Sequence, residues 1–191
     1  MKRLFIATKI ELNKDYQSLL QQFKAHCRHD QIAWISSEQQ HLTLRFIGKT
    51  PEDRIDQIKE MMHRVGEGSA PFELTMNKLG VFGSRYAPTV LWAGFSHFEP
   101  FAQLFQKIEP QLLDAGFEKS YGNFVPHITL GRIKKVDSKK HFWDFFEQHK
   151  DLYQQTIPIR EIILFQSRLT QEGSVYKVLH KEELKGVKEK N

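Results

Sequence analysis

The sequence predicts an α+β fold of two pseudo-symmetric lobes, each an antiparallel sheet covered by helices, with a central cleft between them. Three observations predict this class. Helix and strand patterns alternate along the whole chain, the order of elements over residues 14–95 nearly repeats over 97–180, and one short motif recurs at matching places in both repeats. Because no Ser-, Gly- or Pro-rich linker separates the repeats, we expect residues 1–191 to form a single bilobal domain.

Composition excludes several other classes of protein. The chain is 40% hydrophobic and 27% charged, which is typical of a globular domain. It lacks an apolar stretch of about 18 residues that could cross a membrane, and its opening lacks the long apolar run of a signal peptide. The single cysteine, Cys27, cannot form an intrachain disulfide and fits a reducing compartment. We therefore expect a cytoplasmic protein. A monomer is also expected.

The first repeat is preceded by a strand at residues 3–9. Apolar residues at helical spacing predict a helix over 14–29, and alternation predicts strands at 32–35 and 41–47, the second closed by Gly48. Thr50 as the cap and Pro51 in the first turn predict a helix that runs to about Val65 and stops at Gly66. Strands at 72–81 and 89–95 complete this repeat.

The second repeat follows nearly the same order. A helix is expected over residues 97–115, interrupted near Pro110 and stopped by Gly116. A strand at 124–130, a helix at 138–148 and two strands at 159–165 and 174–179 complete the chain. The correspondence of the two halves makes any motif that they share informative.

Such a motif occurs once in each repeat, on a predicted strand. The two copies lie 86 residues apart and read His41-Leu42-Thr43-Leu44 and His127-Ile128-Thr129-Leu130. Side chains alternate along a strand, so each His and Thr share a face, about 7 Å apart, while the apolar pair enters the core. Two such strands facing each other from two lobes form a cleft with two imidazoles and two hydroxyls.

That set of groups suits phosphate-ester chemistry. Cleavage of a phosphodiester needs a base for the attacking oxygen and an acid for the leaving oxygen, on opposite sides of phosphorus. Two imidazoles titrate near neutrality and can hold both roles at once. Threonine hydroxyls can donate hydrogen bonds to the non-bridging oxygens, whose charge grows in the transition state. This chemistry requires no metal.

Two arginines follow the motifs at slightly different places. Arg45 lies four residues after His41, so a regular strand would place it on the same face, where it could bind phosphate. The matching position in the second copy is Gly131, and Arg132 follows it. Strict alternation turns Arg132 away from His127, although a bulge at Gly131 could redirect it.

Other classes of site find no support in the sequence. His26, Cys27 and His29 lack a fourth partner at metal-ligand spacing, so we expect no metal site. A phosphate-cradling Gly-rich loop is also missing, so we expect no ATP binding and no cofactor. The net charge of +5 favours an anionic partner without identifying it.

The two motif regions resemble the signatures of the 2H phosphoesterase superfamily. The matching segments are residues 41–48 and 126–132, and residues 3–7 and 88–94 are also similar to its bacterial and archaeal RNA 2′,3′-cyclic phosphodiesterases, long called 2′-5′ RNA ligases. The resemblance covers almost the whole chain. It implies a two-lobed fold with the motifs on facing strands of a central cleft, and metal-free opening of an RNA-terminal 2′,3′-cyclic phosphate to a 2′-phosphate.

The resemblance also implies roles for individual residues. His41 would be the acid for the leaving 3′-oxygen and His127 the base for water. Arg132 matches the family arginine that contacts phosphate, which overrules the alternation argument if Gly131 permits the turn. Phe46 lies where an aromatic ring can touch the terminal base, although a Phe here is also compatible with a place in the core.

Three alternatives stay open at the level of sequence. The same chemistry in reverse would join a cyclic phosphate end to a 5′-hydroxyl, as a ligase. A non-catalytic RNA-binding module would instead show a continuous basic stripe with exposed aromatic residues. Small nucleoside 2′,3′-cyclic phosphates or a cyclic ADP-ribose derivative are alternative substrates to RNA ends.

Overall fold

The computed structural model describes residues 1–120, 122–171 and 173–186. These residues form nine strands and four α-helices. The strands are β1 (Lys2–Lys9), β2 (Gln31–Trp34), β3 (His41–Thr50), β4 (Phe72–Gly83), β5 (Pro88–Phe95), β6 (His127–Lys135), β7 (Gln155–Ile159), β8 (Glu161–Thr170) and β9 (Gly173–Glu183). The helices are α1 (Lys14–His26), α2 (Ile55–Glu67), α3 (Glu99–Asp114) and α4 (Lys139–His149).

The strands form one antiparallel sheet that consists of two halves. Its order is β7-β4-β5-β6-β3-β1-β8-β9, and β2 also pairs with β6. At the centre, the described residues of β3 and β6 pair at a single position, Leu42 opposite Ile128. By contrast, β1 pairs with β3 along its whole length. The α+β class with two antiparallel lobes is thus confirmed, and the lobes are half-sheets that meet edge to edge at the two motif strands.

The two repeats exchange strands between these halves. The 86-residue offset relates β1-α1-β3-α2-β4 to β5-α3-β6-α4-β8, so the repetition expected from residue 14 also includes β1. In the sheet, however, β4 lies in the half that contains β6, and β8 lies in the half that contains β3. Each half is therefore built from strands of both repeats.

Amphipathic helices cover one face of the sheet and enclose the main core. In α1, the predicted apolar side buries Tyr16, Leu19, Leu20 and Phe23. The Asn13 side chain accepts a hydrogen bond from the Tyr16 backbone N–H and so caps this helix. Leu42 and Ile128, the apolar residues of the two motif strands, belong to the same core. The opposite faces of those strands are therefore left for the cleft.

Several predicted boundaries need correction. Residues 52–54 form a short 3₁₀ turn after an extended Pro51, and α2 begins only at Ile55, because Thr50 still belongs to β3. Gly66 lies inside α2 and Pro110 inside an uninterrupted α3. The strand expected from residue 124 begins at His127, and β7 was not predicted.

Over the described residues, none of the helices is both long and apolar enough to span a membrane.

Candidate active site

The two motif histidines lie diagonally across the junction of the half-sheets. The antiparallel register at Leu42 and Ile128, extended by one residue in each direction, would place His41 opposite Thr129 and Thr43 opposite His127. Directly opposed residues are close neighbours, and diagonal residues have Cα atoms about 7–8 Å apart. The four side chains are half-buried, and they lie opposite the core face of their strands. The structure thus brings together two imidazoles and two hydroxyls in the alternating arrangement that a small anion can occupy.

Both imidazoles are held by the same backbone contact. The Nδ1 atom of His41 lies 2.7 Å from the Gln39 carbonyl oxygen, and that of His127 lies 2.8 Å from the Val125 carbonyl oxygen. A carbonyl can only accept, so each Nδ1 carries a hydrogen and donates it. In the neutral ring, Nε2 is then the atom with the free lone pair, ready to take or return a proton.

Aromatic rings from neighbouring strands flank each histidine. Phe5 and Tyr176 lie 5.1 and 5.0 Å from the His41 ring centroid. On the other side, Phe82 and Trp92 lie 4.8 and 6.2 Å from that of His127. These contacts fix the orientation of the imidazoles and reduce their access to water.

Sequence reasoning missed these flanking rings, although one of them had a visible signal. A Cβ added at Gly80 would lie 2.0 Å from the Trp92 indole, so this position accepts only glycine beneath the ring. A strand glycine opposite a tryptophan therefore indicates a flat ring lying across the sheet. Phe5 and Tyr176 carry no comparable local pattern, because they meet His41 only through the pairing of β1, β3, β8 and β9.

A bulge in β3 removes Arg45 from the cleft face. Ala7 pairs with Thr43 but the next residue, Ile6, pairs with Arg45, so Leu44 is an extra residue in β3. The Arg45 side chain is consequently buried, at 5% exposure. Its guanidinium forms an ion pair with Glu109 and donates to the carbonyl oxygens of Phe46 and Glu118. The expected shared face with His41 is therefore not observed, because alternation stops at the bulge.

A matching bulge in β6 turns Arg132 toward the cleft. Trp92 pairs with Thr129 and Leu91 with Gly131, which leaves Leu130 as the extra residue. Arg132 is exposed and lines a pocket of about 380 Å³ together with His41. The redirection that Gly131 was expected to permit is thus present. A Cβ at this glycine would lie 2.8 Å from Ile32 of β2, so the close approach of β2 requires glycine.

Phe46 takes the place in β3 that Arg132 takes in β6. Its ring is 64% exposed and is not part of the core. It lines the 380 Å³ pocket beside His41 and also a second pocket of about 330 Å³ beside Thr43 and His127. The ring therefore stands between two spaces that open from the two histidines.

The surroundings of both histidines favour their neutral forms. Burial is the main cause that lowers the pKa of His41, and the positive charge of Arg132 and the His127 imidazole lower it further. Burial also lowers the pKa of His127, again with a contribution from Arg132. In each case the bond to the backbone carbonyl acts in the opposite direction. A bound anion would offset the influence of Arg132 on both rings.

The family comparison matches both repeats separately. The model of the LigT-like phosphoesterase family matches residues 10–92 and again residues 96–176, so each match contains one histidine motif. A curated relative from Thermotoga maritima, named RNA 2′,3′-cyclic phosphodiesterase, is 30% identical over 186 residues and covers 96% of both chains.

Solved structures share the same architecture. The crystal structure of TT0787 of Thermus thermophilus superimposes with a TM-score of 0.78 at 26% identity, over 96% of this chain and 98% of that one. E. coli LigT complexed with 3′-AMP gives a TM-score of 0.72 at 21% identity, with the same coverage. The likeness to E. coli LigT, at 21% identity, concerns the fold alone.

Proposed function

Because the chain belongs to the LigT-like phosphoesterase family, we propose that it hydrolyses the 2′,3′-cyclic phosphate at the end of RNA to a 2′-phosphate, without a metal ion. The observation that carries this proposal is the pair of imidazoles, each with Nδ1 bonded to a carbonyl and Nε2 left for proton transfer. The name of the Thermotoga maritima relative supports the same substrate class.

The two histidines divide the proton transfers. Neutral His127 accepts a proton from water through Nε2 as the water attacks phosphorus. Protonated His41 donates its Nε2 proton to the leaving 3′-oxygen, in line with the attack. The diagonal arrangement supports this division, since it leaves one imidazole on each side of an anion bound between the strands.

Three other groups stabilise the charge that develops on phosphorus oxygens. The hydroxyls of Thr43 and Thr129 donate to the non-bridging oxygens, and Arg132 supplies a positive charge from the rim of the cleft. Such preorganised donors act mainly on the transition state. Arg45 is assigned no direct contact with substrate, because its guanidinium is already engaged by Glu109.

The seating of the nucleoside follows from the pockets. The 3′-oxygen stays on the ribose, so the ribose must lie on the side of the acid, His41. The pocket there contains Phe46 and Tyr176, which can contact the base and ribose, and Arg3, which can contact the preceding phosphate. Water then enters from the side of His127.

One observation favours ligation as a second candidate. The pocket on the side of His127 has a volume of about 330 Å³ and includes Phe105 and Phe124, which is more room than a water molecule needs. An RNA 5′-hydroxyl placed there would attack phosphorus as the water does. Water is far more concentrated than any RNA 5′-hydroxyl, so hydrolysis is the expected net reaction.

A single assay separates the candidates. An RNA ending in a 2′,3′-cyclic phosphate is incubated with the enzyme, a second RNA with a 5′-hydroxyl and EDTA, and the products are identified. We expect a 2′-phosphate as the main product, at a rate that EDTA does not change. A joined RNA would favour the ligase, and binding without product would favour an RNA-binding module. A mainly 3′-phosphate product would reverse the seating, and loss of activity that a metal restores would contradict the mechanism.

A further inference from the structure

A second cluster of titratable side chains lies away from the cleft, where α2 meets the end of β9. His63 and Glu67 are exposed residues of α2, and Glu182 of β9 is only 8% exposed. Candidate ligand atoms of these three residues all lie within 4.8 Å of one another. His180 of β9 contacts the same carboxylate from its other side, with Nε2 3.2 Å from Oε2 of Glu182.

The spacing of these residues suits a divalent cation. His63 and Glu67 are four residues apart in a helix, so they lie on one face. The Nδ1 atom of His63 lies 3.1 Å from Oε1 of Glu182. Two ligands of a tetrahedral zinc ion are about 3.4 Å apart, since each is about 2.1 Å from the metal. Only a small movement of exposed side chains is therefore needed to bring all three onto one ion.

We propose that His63, Glu67 and Glu182 bind a zinc ion that joins α2 to β9. A mixed nitrogen and oxygen ligand set is one that zinc accepts, and three protein ligands leave a fourth position for water. His180 acts as the outer partner: by donating to the second oxygen of Glu182, it orients the carboxylate toward the ion. Such hydrogen-bonded carboxylates are typical of built metal sites.

Without a bound ion, Lys185 forms an ion pair with one of the proposed ligands, Glu67. Its Nζ lies 2.7 Å from Oε1 of Glu67, and both side chains of this ion pair are close to half exposed. An exposed pair of this kind contributes little stability, so zinc can displace it. Removal of the lysine charge should therefore strengthen zinc binding, which gives the proposal a test with the opposite sign to ligand removal.

The site has a structural role that is independent of the reaction in the cleft. On β9, Tyr176, which contacts His41, lies four residues before His180, or about 13 Å along the strand. The ion would hold the last turn of α2 against the edge strand of the sheet. Sequence reasoning missed this cluster, because Glu182 lies more than a hundred residues after His63 and Glu67 in the chain.

The test uses the full chain, freed of metal with EDTA and then titrated with ZnCl₂ by calorimetry and by thermal unfolding. We expect one zinc per chain, and a rise in Tm of roughly 5–10 °C at a hundredfold excess over Kd. His63→Ala and Glu67→Ala, both at exposed positions, should weaken binding at least tenfold. Lys185→Ala should strengthen it.

His141→Ala is the matched control, because His141 stacks on His26 at the surface and offers zinc a competing pair of imidazoles. It should bind zinc as the unmodified protein does. Unchanged affinity in His63→Ala, or loss of binding in His141→Ala, would overturn the proposal. RNA hydrolysis should be the same with and without zinc, so failure here is distinct from failure of the proposed function.

Discussion

The two motif strands, β3 and β6, share one backbone design but end in different chemistry. Each places a histidine and a threonine on the cleft face, and each has a bulge after the threonine. Beyond the bulge in β3, the charged Arg45 side chain points inward and the Phe46 ring points outward. In β6 the same two places hold Gly131 and Arg132. A symmetric frame thus carries an aromatic ring at one position and a cation at the matching position, and both line the pocket beside His41.

The largest effect should come from removing what the two strands share. His41→Ala and His127→Ala should each lower kcat/KM by about 10²–10⁴-fold, because in the proposed mechanism each imidazole moves a proton in the transition state. Both side chains are half-buried at the cleft, so Tm should change little. Steady-state kinetics and thermal unfolding of the two variants provide the check. If a variant keeps more than about a tenth of the activity, the histidine that it lacks is not the general acid or base.

The two threonines test whether the strands also share the stabilisation of charge. Thr43→Val and Thr129→Val keep the shape of the side chain but remove its donor. Each should lower kcat by about 10²–10³-fold with a smaller change in KM, since the lost hydrogen bond forms mainly in the transition state. Thr43→Ser and Thr129→Ser retain the hydroxyl and serve as controls. A loss confined to KM would assign these residues to ground-state binding.

The two arginines should separate by the property that they affect. Arg132→Ala should lower kcat/KM by about 10²-fold, because it removes a charged donor at the cleft, and should leave Tm nearly unchanged. Arg45→Ala should instead lower Tm by roughly 10 °C, because it leaves the buried Glu109 carboxylate without its cationic partner. Parallel kinetics and calorimetry measure both. If Arg45→Ala, assayed well below its Tm, lost more activity than Arg132→Ala, the roles assigned to the two arginines would be reversed.

A smaller effect is expected from the aromatic side of the comparison. Phe46→Leu keeps an apolar side chain but removes the ring, and should raise KM about fivefold if the ring stacks on the base, at about 1 kcal/mol. Tyr86→Leu is the control, since Tyr86 is 83% exposed on the β4–β5 turn. An equal change in both variants would show a general effect of lost aromatic surface.

The smallest effect is a displacement of the pH profile. The pKa values of both histidines are lowered, chiefly by burial. One ring must be protonated and the other neutral, so kcat/KM should follow a bell with its maximum below about pH 6.5, the ordinary pKa of histidine. Arg132→Gln removes a cation that lowers both pKa values, so the maximum should move upward. If the maximum does not move, Arg132 does not affect the pKa values of the two imidazoles. A flat profile would contradict the acid–base mechanism.

Sequence reasoning predicted the fold class and the two facing motifs, because alternation and repetition are local properties. It could not place Arg45, because a bulge in β3 has no glycine or other sign in the sequence, whereas Gly131 gave warning of the one in β6. It missed β7, a five-residue strand with Pro158 inside it that reads as a loop. Tyr176 and the His63–Glu182 cluster depend on contacts between distant segments, which no local pattern reveals.

The exchange of β4 and β8 has a consequence for how such a chain can arise. A single repeat, standing alone, would lack the strand that flanks β1 or β5 and could not close either half of the sheet. Two identical copies could close both halves by each donating its last strand to the other, as a strand-swapped homodimer with one motif per subunit. Fusion of two copies of the gene for such a chain would keep the geometry. Each copy could then diverge, one toward Phe46 and the other toward Arg132.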